Sequence, residues 1–202
     1  MKKLLVFISL VAGVSFTPAD NSVSKKEKKT AVKFLKETEK GVLASIKGLS
    51  EAKLTYKPAA DKWSVEDCMK HIAATEMGLW KMTEGTINGA ANPEKRSDIK
   101  MTDEEVMKNI ENRTTKVKTF PPFEPQNTGF TTLNDAINSF KENRGKLIDY
   151  IKNSEADLRN HVATLPVGSF DSYQMVLFIG AHSNRHMQQI EEVKADPGFP
   201  KN

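Results

Sequence analysis

An all-α four-helix bundle, with one long crossover connection carrying an extra short helix, is the fold this sequence predicts. Three observations carry the expectation. Apolar residues recur at helical spacing in four long segments. No strand-like alternation persists anywhere. The connection between the second and third long segments is far longer than the short turns of a plain up-down-up-down bundle.

The first helix is predicted from Lys26 to about Leu49, where Val32, Leu35, Val42, Leu43, Ile46 and Leu49 share a face. Its polar face holds Lys25, Lys26, Lys28, Lys29, Lys33 and Lys36, interleaved with Glu27, Glu37 and Glu39, the pattern of a solvated face. Residues 50–63 read as a connection broken at Pro58. The second helix starts at Ser64. Ser64-Val65-Glu66-Asp67 is a capping box with Asp in place of Glu or Gln, and Val65, Cys68, Ile72 and Leu79 continue as an apolar stripe to near Gly85. Residues 88–100 are polar and contain Gly89 and Pro93, which marks a loop.

Thr102-Asp103-Glu104-Glu105 is a further capping box. It opens a shorter helix to about Lys118, with Val106, Ile110 and Val117 on one side. Pro121, Pro122 and Pro125 then impose an extended stretch. Thr132-Leu133-Asn134-Asp135 starts the third long helix, reaching about Asn153, with Ile137, Phe140, Leu147 and Ile151 inward. After a loop with Pro166 and Gly168, the last helix runs from about Asp171 to Lys194 and is closed by Asp196-Pro197-Gly198.

Ahead of the bundle, Lys2 and Lys3 precede an apolar run from Leu4 to Phe16, too short to span a bilayer as a helix. Thr17-Pro18-Ala19 follows, so residues 1–19 read as a cleavable signal peptide of an exported protein, periplasmic or extracellular, with no stable membrane anchor after processing; the alternative is an uncleaved N-terminal anchor. Residues 20–29 are then a basic lead, residues 30–195 the bundle, and residues 196–202 a tail. The mean hydropathy of −0.50 excludes a polytopic membrane protein. A single cysteine excludes an internal disulfide. The formal net charge of +4 falls to 28 Lys+Arg against 26 Asp+Glu once residues 1–19 are set aside, so it gives no case for nucleic acid.

The chain has four histidines, His71, His161, His182 and His186. His182 and His186 stand at i and i+4, and Met175, Ile179, His182, His186, Ile190 and Val193 form one stripe. The pair therefore faces the interior, where unpaired polar groups cost on the order of 1–3 kcal/mol each. Two readings are open: hydrogen-bonded core histidines, or two ligands for one metal ion. His71, beside Ile72 on the inner side of the second helix, is not joined to the pair by spacing alone.

Trp63-Ser64-Val65-Glu66-Asp67-Cys68-Met69-Lys70-His71 resembles the WSxxExxxH segment of the DinB/YfiT-like superfamily, and Leu49–Leu54 with Tyr56-Lys57-Pro58 resembles its approach to that helix. His182-Ser183-Asn184-Arg185-His186-Met187-Gln188-Gln189-Ile190 is similar to its HxxxHxxQI segment. The resemblance covers about residues 30 to 195. It implies a four-helix bundle with an internal divalent metal, zinc or nickel, held by His71, His182 and His186. Arg185 stands where many members have a further histidine. Some relatives use low-molecular-weight thiols, which are cytoplasmic, whereas this chain reads as exported.

Asp67, at i−4 from His71, is either the capping carboxylate or a group that orients that imidazole; Gln189, at i+3 from His186, is either an orienting partner or a surface residue. Cys68 is either a small core residue or a neighbour of the metal. Glu76, at i+5 from His71, points away from a ligand position. His161 lies in a loop and is expected to be exposed, Trp63 to pack at the helix entrance, and Trp80 and Tyr150 are candidates to line a pocket. There is no Ser/His/Asp order, phosphate loop or HExxH. The function expected is a metal-dependent hydrolase or transferase acting on a small molecule, with a homodimer through an outer helix face left open. The alternatives are a metal-binding protein without turnover and a helical interaction module.

Overall fold

A computed structural model describes residues 22–201, so the expected signal peptide lies outside the described residues. Four long helices form the bundle: α1 (Lys25–Ile46), α3 (Val65–Ile87), α5 (Leu133–Asn153) and α6 (Ser172–Lys194). Two shorter ones lie in the connections, α2 (Glu51–Thr55) and α4 (Asp103–Glu111). No described helix is long and apolar enough to cross a membrane.

Side-chain caps fix where the helices begin. Ser64 Oγ accepts from the Asp67 amide at 3.1 Å while Asp67 Oδ2 accepts from the Ser64 amide at 3.0 Å, so two otherwise orphaned donors are satisfied. Thr102 with Glu105 and Thr132 with Asp135 close the same way, as their spacing predicts. Ser24 with Glu27 does so for α1, which starts at Lys25 rather than Lys26. Beyond α1, Gly48 adopts φ +73°, a left-handed turn that stops the helix before Leu49.

Several expectations change: Pro121–Phe123 and Pro125–Asn127 are short 3-10 turns rather than an extended stretch, since proline's fixed φ suits the first position of such a turn, and α2 forms within the connection before Pro58. The helix expected to reach Lys118 ends at Glu111, because Asn112 Oδ1 accepts from the Thr114 amide (2.8 Å) and hydroxyl (2.7 Å), and this local turn competes with the helix. The loop before α6 contains a β-hairpin, β1 (Val162–Leu165) with β2 (Gly168–Asp171), in register Val162↔Asp171 to Leu165↔Gly168. Strands of four residues are too short for alternation to stand out. The hairpin delivers Asp171, whose carboxylate caps α6 at the Gln174 amide (2.8 Å) and pairs with Arg159 (3.0 Å).

Helix directions follow from cross-helix contacts. Tyr173 bonds the Glu27 carbonyl at one end of α1 and Lys194 the Ser45 carbonyl at the other, so α6 runs parallel to α1. His71 meets His186 and Thr75 meets His182, so α3 runs against α6. Glu76 meets Arg144 and Trp80 meets Tyr150, so α5 runs alongside α3. The order is up-down-down-up. Each of α1 and α3 packs on both α5 and α6. Because α3 and α5 are parallel neighbours, the chain must return the length of the bundle between them. Residues 88–132 make that crossover and lay α4 against α6.

The bundle core has two apolar halves, and a third cluster of Val106, Phe170, Met175 and Phe178 packs α4 and the hairpin onto α6. Leu35, Trp80, Leu147, Ile151 and Leu177 fill one, and Val42, Met69, Ile72, Phe140 and Ile190 fill the other. Between the two halves lies a polar layer with one side chain from each long helix. The Arg144 guanidinium grips Glu76 through two bonds of 2.6 and 2.8 Å, and donates to the Leu35 carbonyl (2.7 Å), Thr38 Oγ1 (2.8 Å) and Ser183 Oγ (3.0 Å). Both ionic side chains are almost fully buried, and all five guanidinium donors are directed at acceptors within this layer.

Candidate metal centre

One turn beyond the polar layer, α3 and α6 bring His71, His182 and His186 together. One ring nitrogen from each lies within 4.8 Å of the others. The His71 and His186 Nε2 atoms are 3.1 Å apart. That separation suits two nitrogens each about 2.1 Å from one ion. His71 and His186 are buried, and His182 is the most accessible residue of the three.

Hydrogen bonds define how the rings point. His71 Nδ1 donates to the Phe123 carbonyl at 2.7 Å. His186 Nδ1 lies 3.0 Å from Gln189 Oε1. That oxygen also accepts from Arg113 Nη1 at 3.3 Å, which fixes it as the acceptor and the imidazole nitrogen as the donor. Thr75 spends its one hydroxyl proton on the carbonyls of His71 (2.7 Å) and Ile72 (3.1 Å). It therefore accepts from His182 Nδ1 at 3.3 Å. All three Nδ1 atoms thus carry their proton outward, the Nε2 lone pairs of His71 and His186 face each other, and that of His182 is left without a proton. Lone pairs facing one another in a buried site are unfavourable unless a cation lies among them. The donor set therefore fits a divalent ion.

Electrostatics point the same way. Burial pushes the His71 pKa down to about 4, against an opposing contribution from the Phe123 carbonyl. Burial, then the charge of His71 and of Arg185, lowers His182 well below the usual imidazole range. Burial, then His182 and His71, does the same for His186. Neutral imidazoles are the form that ligates metal.

Aromatic rings enclose the cluster. Trp63 lies 4.8 Å from the His71 ring and 5.9 Å from the His186 ring, and Phe178 stacks on His182 at 6.3 Å. Gln189 is an orienting partner. Asp67 closes the α3 cap and pairs with Lys57 at 2.7 Å, while the His71 nitrogens are directed to Phe123 and His186. Cys68 is fully buried among Val42, Met69 and Ile72, and its thiol pKa is raised by burial. Trp80 and Tyr150 pack edge to face at 5.1 Å in the core rather than lining a pocket at the histidines. His161 is half-buried rather than exposed, because its nitrogens reach the Asp157 carbonyl (2.6 Å) and the Gly89 carbonyl (3.3 Å).

Sequence reasoning did not find Phe123, Thr75 or Arg113. A backbone carbonyl carries no residue signature, and the path of the crossover is set by packing. Thr75, at i+4 from His71, was within reach of helical spacing.

A family model described as the DinB superfamily matches residues 35–190. YuaE of Bacillus subtilis (strain 168), an uncharacterized protein, is 27% identical over 150 residues, covering 74% of this chain and 88% of its own. A solved structure, YfiT from Bacillus subtilis, is described as a probable metal-dependent hydrolase with an unusual four-helix bundle topology. It matches with a TM-score of 0.60 at 14% identity, over 89% of this chain and 92% of that one. At that identity the likeness shows the fold.

Proposed function

The chain belongs to the DinB superfamily, and from that premise we propose that it is a metal-dependent hydrolase with one divalent ion, zinc or nickel, held by His71, His182 and His186. The observation that carries the reading is the cluster of three imidazoles, one nitrogen of each within 4.8 Å of the others, whose Nδ1 protons are all bonded outward. Such an ion supplies Lewis acidity toward a substrate carbonyl or a water molecule. Three protein ligands are the number found in catalytic sites, which keep further positions for water and substrate.

The chain's own residues do the rest. Phe123 and Gln189 hold two imidazoles in the ligating tautomer, and Thr75 holds the third. Trp63 and Phe178 shield the rings from water. Partly exposed His182 marks the side from which substrate enters. YfiT, described as a probable metal-dependent hydrolase on the same fold, supports the hydrolytic reading.

Metal analysis of the purified protein, followed by a screen of the loaded form on ester and amide substrates, tests it. About one equivalent of metal is expected, lost in His182→Ala together with turnover. A protein that takes up no divalent ion, or one whose uptake is unchanged in His182→Ala, sinks the proposal.

A further inference from the structure

We propose that the crossover segment 112–125 forms the outer half of this centre: Phe123 and Arg113 are positioning residues that set its metal affinity, and a notch at Gly78 lets the segment dock. The inference rests on the three-histidine reading above and concerns what tunes it.

Two of the three imidazoles are tied from this one segment. Phe123 supplies the carbonyl that holds His71, at 2.7 Å. Arg113 holds Gln189 Oε1 at 3.3 Å, and that oxygen accepts from His186. Arg113 is itself braced by the Glu192 carboxylate, through bonds of 3.1 and 2.7 Å. Partners of this kind orient ligating histidines and raise their basicity. Here the Phe123 carbonyl, and the arginine that braces Gln189 of α6, come from a stretch between α4 and α5.

The segment is fastened at two places. Arg185 on α6 reaches the carbonyls of Ile110, Asn112 and Thr115. At the other end the Phe123 ring rests against Gly78 of α3, where a Cβ would stand 2.7 Å from Cε1 and 2.8 Å from Cζ. Those distances are below any real contact, so a side chain at 78 must displace the ring. Gly78 is mid-helix, where glycine is a poor helix former. Its close approach to Phe123 gives it a reason to be there. Pro121, Pro122 and Pro125 limit the backbone freedom of the segment and reduce the entropy lost on docking. The Phe123 amide bonds the Phe120 carbonyl at 2.9 Å, so the turn presents its last carbonyl to His71 as a preformed acceptor.

The test uses the full chain, stripped of metal, in competition with a chromophoric chelator for zinc. The variants are Gly78→Ala and Arg113→Gln. Gly85→Ala is the control, since Gly85 lies on the same helix with nothing within 4 Å of a Cβ. Zinc affinity is expected to fall about 10–100-fold in both test variants and to stay at the wild-type level in Gly85→Ala. Amide exchange of residues 112–125 should slow on zinc binding in the wild type and less so in Gly78→Ala. Metal-free Gly78→Ala should keep the helical circular-dichroism signal of the wild type and unfold cooperatively, so that its loss of affinity is not a loss of fold. Wild-type affinity in both variants overturns the proposal while leaving the metal centre standing. Loss in one variant only overturns the role of the other residue. A wild-type protein that binds no zinc overturns the metal reading, and this one with it.

Discussion

Each histidine is decided by one neighbour. The Phe123 carbonyl, the Gln189 amide oxygen and the Thr75 hydroxyl each take an Nδ1 proton. The Nε2 atoms are thereby turned inward, while burial keeps the rings neutral. This has a consequence for the metal-free protein. The His71 pKa is about 4 in the fold against an ordinary 6.5, and burial is the main cause. A lowered folded pKa contributes stability that is complete above about pH 6.5 and is lost as pH falls toward 4. His182 and His186 shift in the same direction. Melting temperatures in chelator should therefore drop between pH 7 and pH 5, and His71→Gln should flatten part of the drop. An unchanged drop in the variant would show that the acid sensitivity lies elsewhere.

At the scale of the element, the sequence was readable where local chemistry decides the outcome. The capping boxes at Ser64, Thr102 and Thr132 mark their helices because cap and partner lie three residues apart. The hairpin at 162–171 and the single turn of α2 escaped, since neither is long enough to establish a period. The histidine pair on α6 was visible from its i, i+4 spacing. His71 entered through resemblance alone, because nothing local on α3 says that α6 runs against it. Two glycines show the same divide. Gly180 on α6 would place a Cβ 2.8 Å from Phe34 Cε1 and 3.3 Å from Leu35 Cδ2, inside a packed helix contact. Gly180→Ala is expected to cost about 1–3 kcal/mol net, because overpacking outweighs the gain in helix propensity. Gly85→Ala, with open space at its Cβ, should stabilise by about 0.5–1 kcal/mol. Urea unfolding of the pair checks both signs.

Across the whole molecule, the layer of Thr38, Glu76, Arg144 and Ser183 ties the four long helices at one level. Its signal is present in the sequence: Glu76 follows Ile72 by four, and Arg144 follows Phe140 by four and precedes Leu147 by three. Both charges therefore sit on apolar stripes. What the sequence does not show is that the two stripes face each other. Arg144→Met should cost about 3–5 kcal/mol, because it leaves a buried carboxylate unpaired. Adding Glu76→Leu should recover most of that loss, since the Thr38 and Ser183 hydroxyls keep their own acceptors at 3.1 and 2.8 Å. Denaturant midpoints of the single and double variants measure the difference. A double variant as weak as the single would mean that the pair stabilises the fold beyond its mutual compensation.

The up-down-down-up order also bears on when the centre can exist. His71 lies on the second long helix and its two partners on the last, with the crossover, α5 and the hairpin between them. During synthesis, a chain that has emerged as far as the hairpin owns a single donor of the three. The set closes only when α6 emerges and docks antiparallel to α3. An ion captured there joins the early part of the polypeptide to its latest part, and a backbone cut that lets α6 depart takes two donors away with it. Occupancy is then a report on the integrity of the whole chain, obtained from three side chains.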